Sequence, residues 1–215
     1  MEELRTQFHQ KMDEIESKVI QLFATVGEDL AQATDAFLTG EHEIVQTLAA
    51  RESAIDDLYR DIEAQVNLQL ALQAPVAADL RFLLSVLRIV PELERSHDLV
   101  VHIAGYADYT FSQGLSPRTR GLVESMGKIG AEMWRDAADT WYRRDPQGAA
   151  SLDERDDELD TLHAALTDEL SKGEMPAPMI MAMTLVGRFY ERLGDHAVNI
   201  ARRVVYLAGA TPSTT

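Results

Sequence analysis

The sequence predicts an all-α protein, a tandem duplication of an antiparallel three-helix bundle with six long helices. Three observations carry this. Apolar residues recur at three- and four-residue steps over long runs, the period of one helical face. A carboxylate-bearing stretch occurs twice, as Glu94-Arg-Ser-His-Asp-Leu-Val-Val-His-Ile-Ala and as Glu191-Arg-Leu-Gly-Asp-His-Ala-Val-Asn-Ile-Ala. Both carboxylates, the Arg and the Ile-Ala repeat at one offset. No alternating strand pattern competes. The two bundles are placed at residues 1–110 and 111–215.

The first helix is expected over residues 1–38. Leu4, Phe8, Met12, Ile15, Val19, Leu22, Val26, Leu30, Ala33 and Phe37 form a single seam, stopped by Thr39-Gly40. The second runs from about Glu41 to Gln73, with Val45, Leu48, Ile55, Tyr59, Ile62 and Val66 inward. Ala74-Pro75 breaks it, and Pro75 is suited to open the third helix. That helix carries Leu80, Leu83, Leu84, Leu87 and Val90 and ends near Tyr106. Pro91 is expected to kink it without ending its apolar period. Tyr109 to Pro117 reads as a loop. The fourth helix, Pro117 to Arg143, shows Leu122, Met126, Ile129, Met133, Ala137 and Trp141. Asp145-Pro146 opens the fifth, which runs to Lys172-Gly173. Met175-Pro-Ala-Pro178 leads into the sixth, ending at Gly209 before a tail expected to fray.

The chain has 215 residues, enough for one large domain or two of about 100. It has no run near the ~18 apolar residues of a membrane span, and its first residues do not form a signal peptide. The absence of cysteine removes disulfides, thiolate metal sites and a cysteine nucleophile. A cytoplasmic protein is expected. The net charge of −16, with basic residues scattered, argues against nucleic-acid binding, which needs a basic footprint. Cations and basic surfaces of other proteins are the natural partners.

The repeated acids carry the candidate chemistry. Glu94 and Asp98, like Glu191 and Asp195, lie four residues apart and so share a helix face. A second set sits on the second and fifth helices. Aligning Ile55-Asp56 with Leu159-Asp160 also aligns Leu48 with Leu152 and Glu52 with Asp156. Each half thus holds two acidic pairs, Glu52/Asp56 with Glu94/Asp98 and Asp156/Asp160 with Glu191/Asp195. Their apolar flanks place them towards an inter-helix groove, where like charges repel and desolvation adds to the cost. A cation bridging the pairs removes both costs. Carboxylate donors without thiolates favour Mg, Mn, Fe or Zn. The plain reading is a set of solvated surface acids, with Arg95 and Arg192 as ion-pair partners. His102 and Asn199, at equivalent positions, are candidates for outer ligands or for packing.

A rival reading is a carboxylate-bridged di-metal helical-bundle enzyme, since Glu94-Arg-Ser-His97 has the Glu-x-x-His spacing of such sites. The matching position in the second half is Gly194, and Asp160-Thr-Leu-His163 is only a partial substitute. No phosphate loop, GxSxG or HExxH motif is present. The eight methionines, Met179, Met181 and Met183 among them, read as core, as do Trp134 and Trp141.

Glu191-Arg-Leu-Gly-Asp-His-Ala-Val-Asn-Ile-Ala, its first-half counterpart and Asp79-Leu-Arg81 after Gln73-Ala-Pro75 resemble the PhoU family of phosphate transport regulatory proteins. The likeness covers nearly the whole chain. It implies a non-enzymatic, intracellular negative regulator of phosphate uptake and phosphate-starvation signalling. It implies partners in the ATPase subunit of the phosphate ABC transporter and the phosphate-sensing histidine kinase, and assembly as a homodimer. It also implies metal clusters on Glu52, Asp56, Glu94 and Asp98 and on Asp156, Asp160, Glu191 and Asp195. Ser96-His97 and Pro91 depart from the family pattern in the first half.

Overall fold

A computed structural model describes residues 2–107 and 109–209. Among them the chain forms seven helices and no strand: α1 (Glu2–Thr39), α2 (His42–Gln73), α3 (Ala77–Gly105), α4 (Tyr109–Gly114), α5 (Pro117–Arg143), α6 (Pro146–Ser171) and α7 (Ala177–Leu207). The side chain of Leu4 and the tail beyond Gly209 lie outside the described residues. Among those described, no helix is long and apolar enough to cross a membrane.

Local chemistry accounts for the helix ends. Gly40 takes φ 83 and its N–H bonds the carbonyl of Ala36 at 2.8 Å, closing α1 in the left-handed manner that glycine permits. Ser116 caps α5 by accepting from the Thr119 N–H at 3.0 Å, and Pro117 occupies the first turn. Asp145 caps α6 in the same way through Gln147, at 2.9 Å. The expectation that Pro75 opens the third helix is corrected. Ala74 adopts φ 44, Pro75 lies in the connection, and α3 starts at Ala77. From there α3 runs unbroken through Pro91.

The expected loop at Tyr109–Pro117 is also corrected, because it contains α4. The Gly, Ser and Pro of that stretch signal a turn, but Phe111 packs edge-on against Phe37 of α1, centroids 6.0 Å apart. The Arg120 guanidinium then donates to the carbonyls of Leu38 and Ser112, each at 2.6 Å. It satisfies backbone acceptors at the ends of both α1 and α4.

Helices α1, α2 and α3 pack together, as do α5, α6 and α7, and the two sets meet through α1 on α5 and α3 on α7. The buried side chains of both form one continuous cluster. Trp134 and Trp141 of α5 are fully buried, with ring centroids 6.2 and 6.5 Å from that of Phe23 on α1. The hydroxyls of Thr34 on α1 and Tyr190 on α7 lie 2.7 Å apart. Two residues assigned to the interior are outside it: Leu84 is 40% and Met181 69% exposed. The inward stripes of α3 and α7 pass through Leu83 and Val86, and through Met183 and Val186, leaving these two on the outer face.

Candidate metal centres

Neighbouring antiparallel helices position the acids. In the first half α2 carries Glu52 and Asp56 beside Glu94 and Asp98 of α3. Glu52 is exposed and the other three are half-buried. Burial raises the carboxyl pKa of Glu94, and repulsion from Asp98, Asp56 and Glu52 raises it further against the pull of Arg95. The four first-half acids therefore share one field. Arg60 pairs with Asp56 at 3.0 Å and with Asp57 at 3.1 Å.

The second half repeats the arrangement. Asp156 of α6 is pushed up to about 6, by burial first and then by Asp160, Asp195, Glu191 and Asp153. Gly194 makes this approach possible. A Cβ there would collide with Asp156 Oδ1 and stand 2.8 Å from Leu159 Cδ2. Glu191 pairs with Arg188 through Oε1, while its buried Oε2 has no hydrogen-bond partner. Asp160 and Asp195 are exposed.

Carboxylate oxygens, mutual repulsion and an orphaned Glu191 oxygen are what a hard or borderline cation neutralises. Glu52, Asp56, Glu94 and Asp98 would hold it in one half; Asp156, Asp160, Glu191 and Asp195 would hold it in the other. Among the described residues, however, no three His, Asp or Glu side chains are grouped so as to hold a metal ion as they stand. The exposed Glu52, Asp160 and Asp195 have room to turn.

The remaining candidates separate from this chemistry. His102 stacks on Phe189, centroids 5.5 Å apart, and so does packing work. Arg95 is exposed and lies 3.7 Å from Glu92. His97 is buried, with its Nε2 3.1 Å from Oδ2 of Asp29 on α1, and its Nδ1 has no partner. His97 thus lies in the core against α1.

Asp29 is the residue sequence reasoning missed. It is fully buried and also accepts from Arg51 of α2. An acid beside Val26, Leu30 and Ala33 on the seam of α1 was the available signal. A second missed pair joins the halves. Ser96 Oγ lies 2.9 Å from His196 Nδ1, and His196 Nε2 lies 3.5 Å from Glu92. Burial lowers the His196 pKa, partly offset by Glu92.

Known proteins share this fold. A family model described as the PhoU domain matches residues 19–107 and again 123–204. The chain is 33% identical over 213 residues to "Phosphate-specific transport system accessory protein PhoU homolog 2" of Mycobacterium tuberculosis, covering 97% of this chain and 100% of that one. It is 32% identical over 208 residues to PhoU homolog 1 of Mycobacterium leprae, covering 95% and 94%. The crystal structure of PhoU from Pseudomonas aeruginosa superposes with a TM-score of 0.87 at 27% identity, covering 95% of this chain and 100% of that one. The phosphate transport system regulatory protein PhoU from Streptococcus pneumoniae gives 0.82 at 25%, covering 93% and 96%.

Proposed function

The chain belongs to the PhoU family, and on that premise we propose that it is a cytoplasmic accessory protein that restrains phosphate uptake and phosphate-starvation signalling. Its relatives are named as accessory and regulatory proteins, not enzymes. It acts by binding other proteins: the ATPase subunit of the phosphate ABC transporter and the phosphate-sensing histidine kinase. It works as a homodimer. Each half carries a cation site, filled by Fe, Zn, Mn or Mg.

The observation that carries the cation sites is the pair of acidic clusters at matching places in the two halves, each with one carboxyl raised by burial and then by the neighbouring acids. A bound cation would cancel that repulsion and tie α2 to α3 and α6 to α7. The chain's own residues supply carboxylates on adjacent helices, a close helix approach at Gly194 and an acidic face suited to basic partner surfaces.

Deleting the gene is expected to raise phosphate uptake under phosphate-replete conditions. Unaltered uptake would refute the regulatory role. Co-purification of the tagged chain with the transporter ATPase and the kinase checks the partners, and recovery of neither would remove the adaptor reading.

A further inference from the structure

Each acidic cluster has an arginine immediately before its first carboxylate, and both arginines are turned away. Arg51 precedes Glu52, and Arg155 precedes Asp156 at the equivalent position of α6. Arg51 reaches into the bundle and donates to the buried Asp29 of α1. Arg155 reaches across to α5, where its Nη1 donates to Glu132 at 2.7 Å and its Nε lies 3.1 Å from Asp136. The first helix of each half thus holds the arginine of the second by acids that belong to neither cluster.

The two holding sites differ chemically. Asp29 is buried and shared with His97, the residue before Asp98. One carboxylate therefore grips both cluster-bearing helices next to a cluster acid. Under the α2-to-α6 offset Met133 stands where Asp29 does, and under the α3-to-α7 offset Gly194 stands where His97 does. Among the described residues the second half shows no such buried grip, and Arg155 is held by the partly exposed Glu132 and Asp136.

An arginine beside a carboxylate cluster is a resident competitor for any cation, because its planar fork pairs readily with carboxylates. Arg60 and Arg188, four and three residues along their helices from Asp56 and Glu191, already rest on those acids. Arg51 and Arg155 stand one residue from a cluster acid and would have to swing about 100° round the helix to join them. We infer that Asp29 in the first half, and Glu132 with Asp136 in the second, are positioning residues that hold a second arginine, Arg51 or Arg155, off each cation site. This rests on the cation-binding reading proposed above.

The test uses the full chain, stripped with chelator and titrated with Mn²⁺ while free Mn²⁺ is followed by electron paramagnetic resonance. With the first site disabled by Glu94→Gln and Asp98→Asn, the further changes Glu132→Gln and Asp136→Asn are expected to weaken binding roughly tenfold or more. Adding Arg155→Gln is expected to restore it. With the second site disabled by Glu191→Gln and Asp195→Asn, Asp29→Asn is expected to weaken binding and Arg51→Gln to rescue it. Rescue is decisive in the second half when the Tm stays that of the unmodified chain throughout, because the partly exposed Arg155, Glu132 and Asp136 leave no buried charge whose relief could mimic it. The second-half variants are on the surface and report even where Asp29→Asn fails to fold. Affinity unchanged on releasing Arg155, or lost without rescue, overturns the inference while leaving cation binding intact. Absence of Mn²⁺ binding by the unmodified chain overturns both.

Discussion

The hydroxyls of Thr34 and Tyr190 meet at 2.7 Å inside the molecule, joining the first helix to the last. Thr34 also donates to the Leu30 carbonyl at 2.8 Å, so the Tyr190 hydroxyl donates to Thr34. Burial raises the Tyr190 pKa, which keeps that proton in place. Tyr190→Phe removes one buried hydrogen bond and is expected to cost about 1 kcal/mol. At this size that is a fall of roughly 2–4 °C in Tm, measured by calorimetry. An unchanged Tm would show that the bond contributes nothing to joining the halves.

Gly194→Ala tests the close approach of α6 and α7. The added methyl meets Asp156 and Leu159 at once, and overpacking of this kind costs about 1–3 kcal/mol. Urea denaturation should show a lower midpoint. Equal or greater stability would mean that α6 moves away freely.

The raised pKa of Asp156 sets a pH dependence in metal-free protein. A carboxyl that holds its proton more tightly when folded favours folding while protonated, and that contribution is lost as pH climbs from near 3.8 to about 6. Asp156→Asn mimics the neutral form. The variant should be more stable than the unmodified chain at pH 7, with the difference vanishing near pH 4. Because Asp156 is only partly buried, solvent screening keeps the effect small. Denaturant titrations of both proteins in chelator check it; a difference of one size at both pH values would refute the assignment.

Glu191→Ala with Asp195→Ala should lower bound metal while leaving the helical circular dichroism unchanged, since Asp195 is on the surface and Glu191 lies at the inter-helix groove. Elemental analysis of the purified proteins measures this. Equal metal content in the two would remove these residues from the ligand set.

Phe111→Ala removes the ring that seats α4 on Phe37. Faster amide exchange confined to α4 and the end of α1 is expected, with the six long helices protected as before. Uniform loss of protection would show that α4 supports the whole core.

The six long helices, most of their ends and the internal repeat were readable along the chain because helical period, caps and glycine stops are properties of neighbouring residues; the start of α3 past Pro75 was not. For the same reason the eight acids could be assigned in pairs to the faces of four helices. Contacts between helices distant in sequence obey no such local period. Only packing decided that α1 lies on α5 and α3 on α7, that Leu84 and Met181 face outward, and that Phe111 turns an expected loop into α4. It also decided where the charged side chains point. Asp29 is one acid among many until α2 and α3 close over it. Buried against His97 and reached by the half-exposed Arg51, it is held by the cost of leaving a buried carboxylate without a partner.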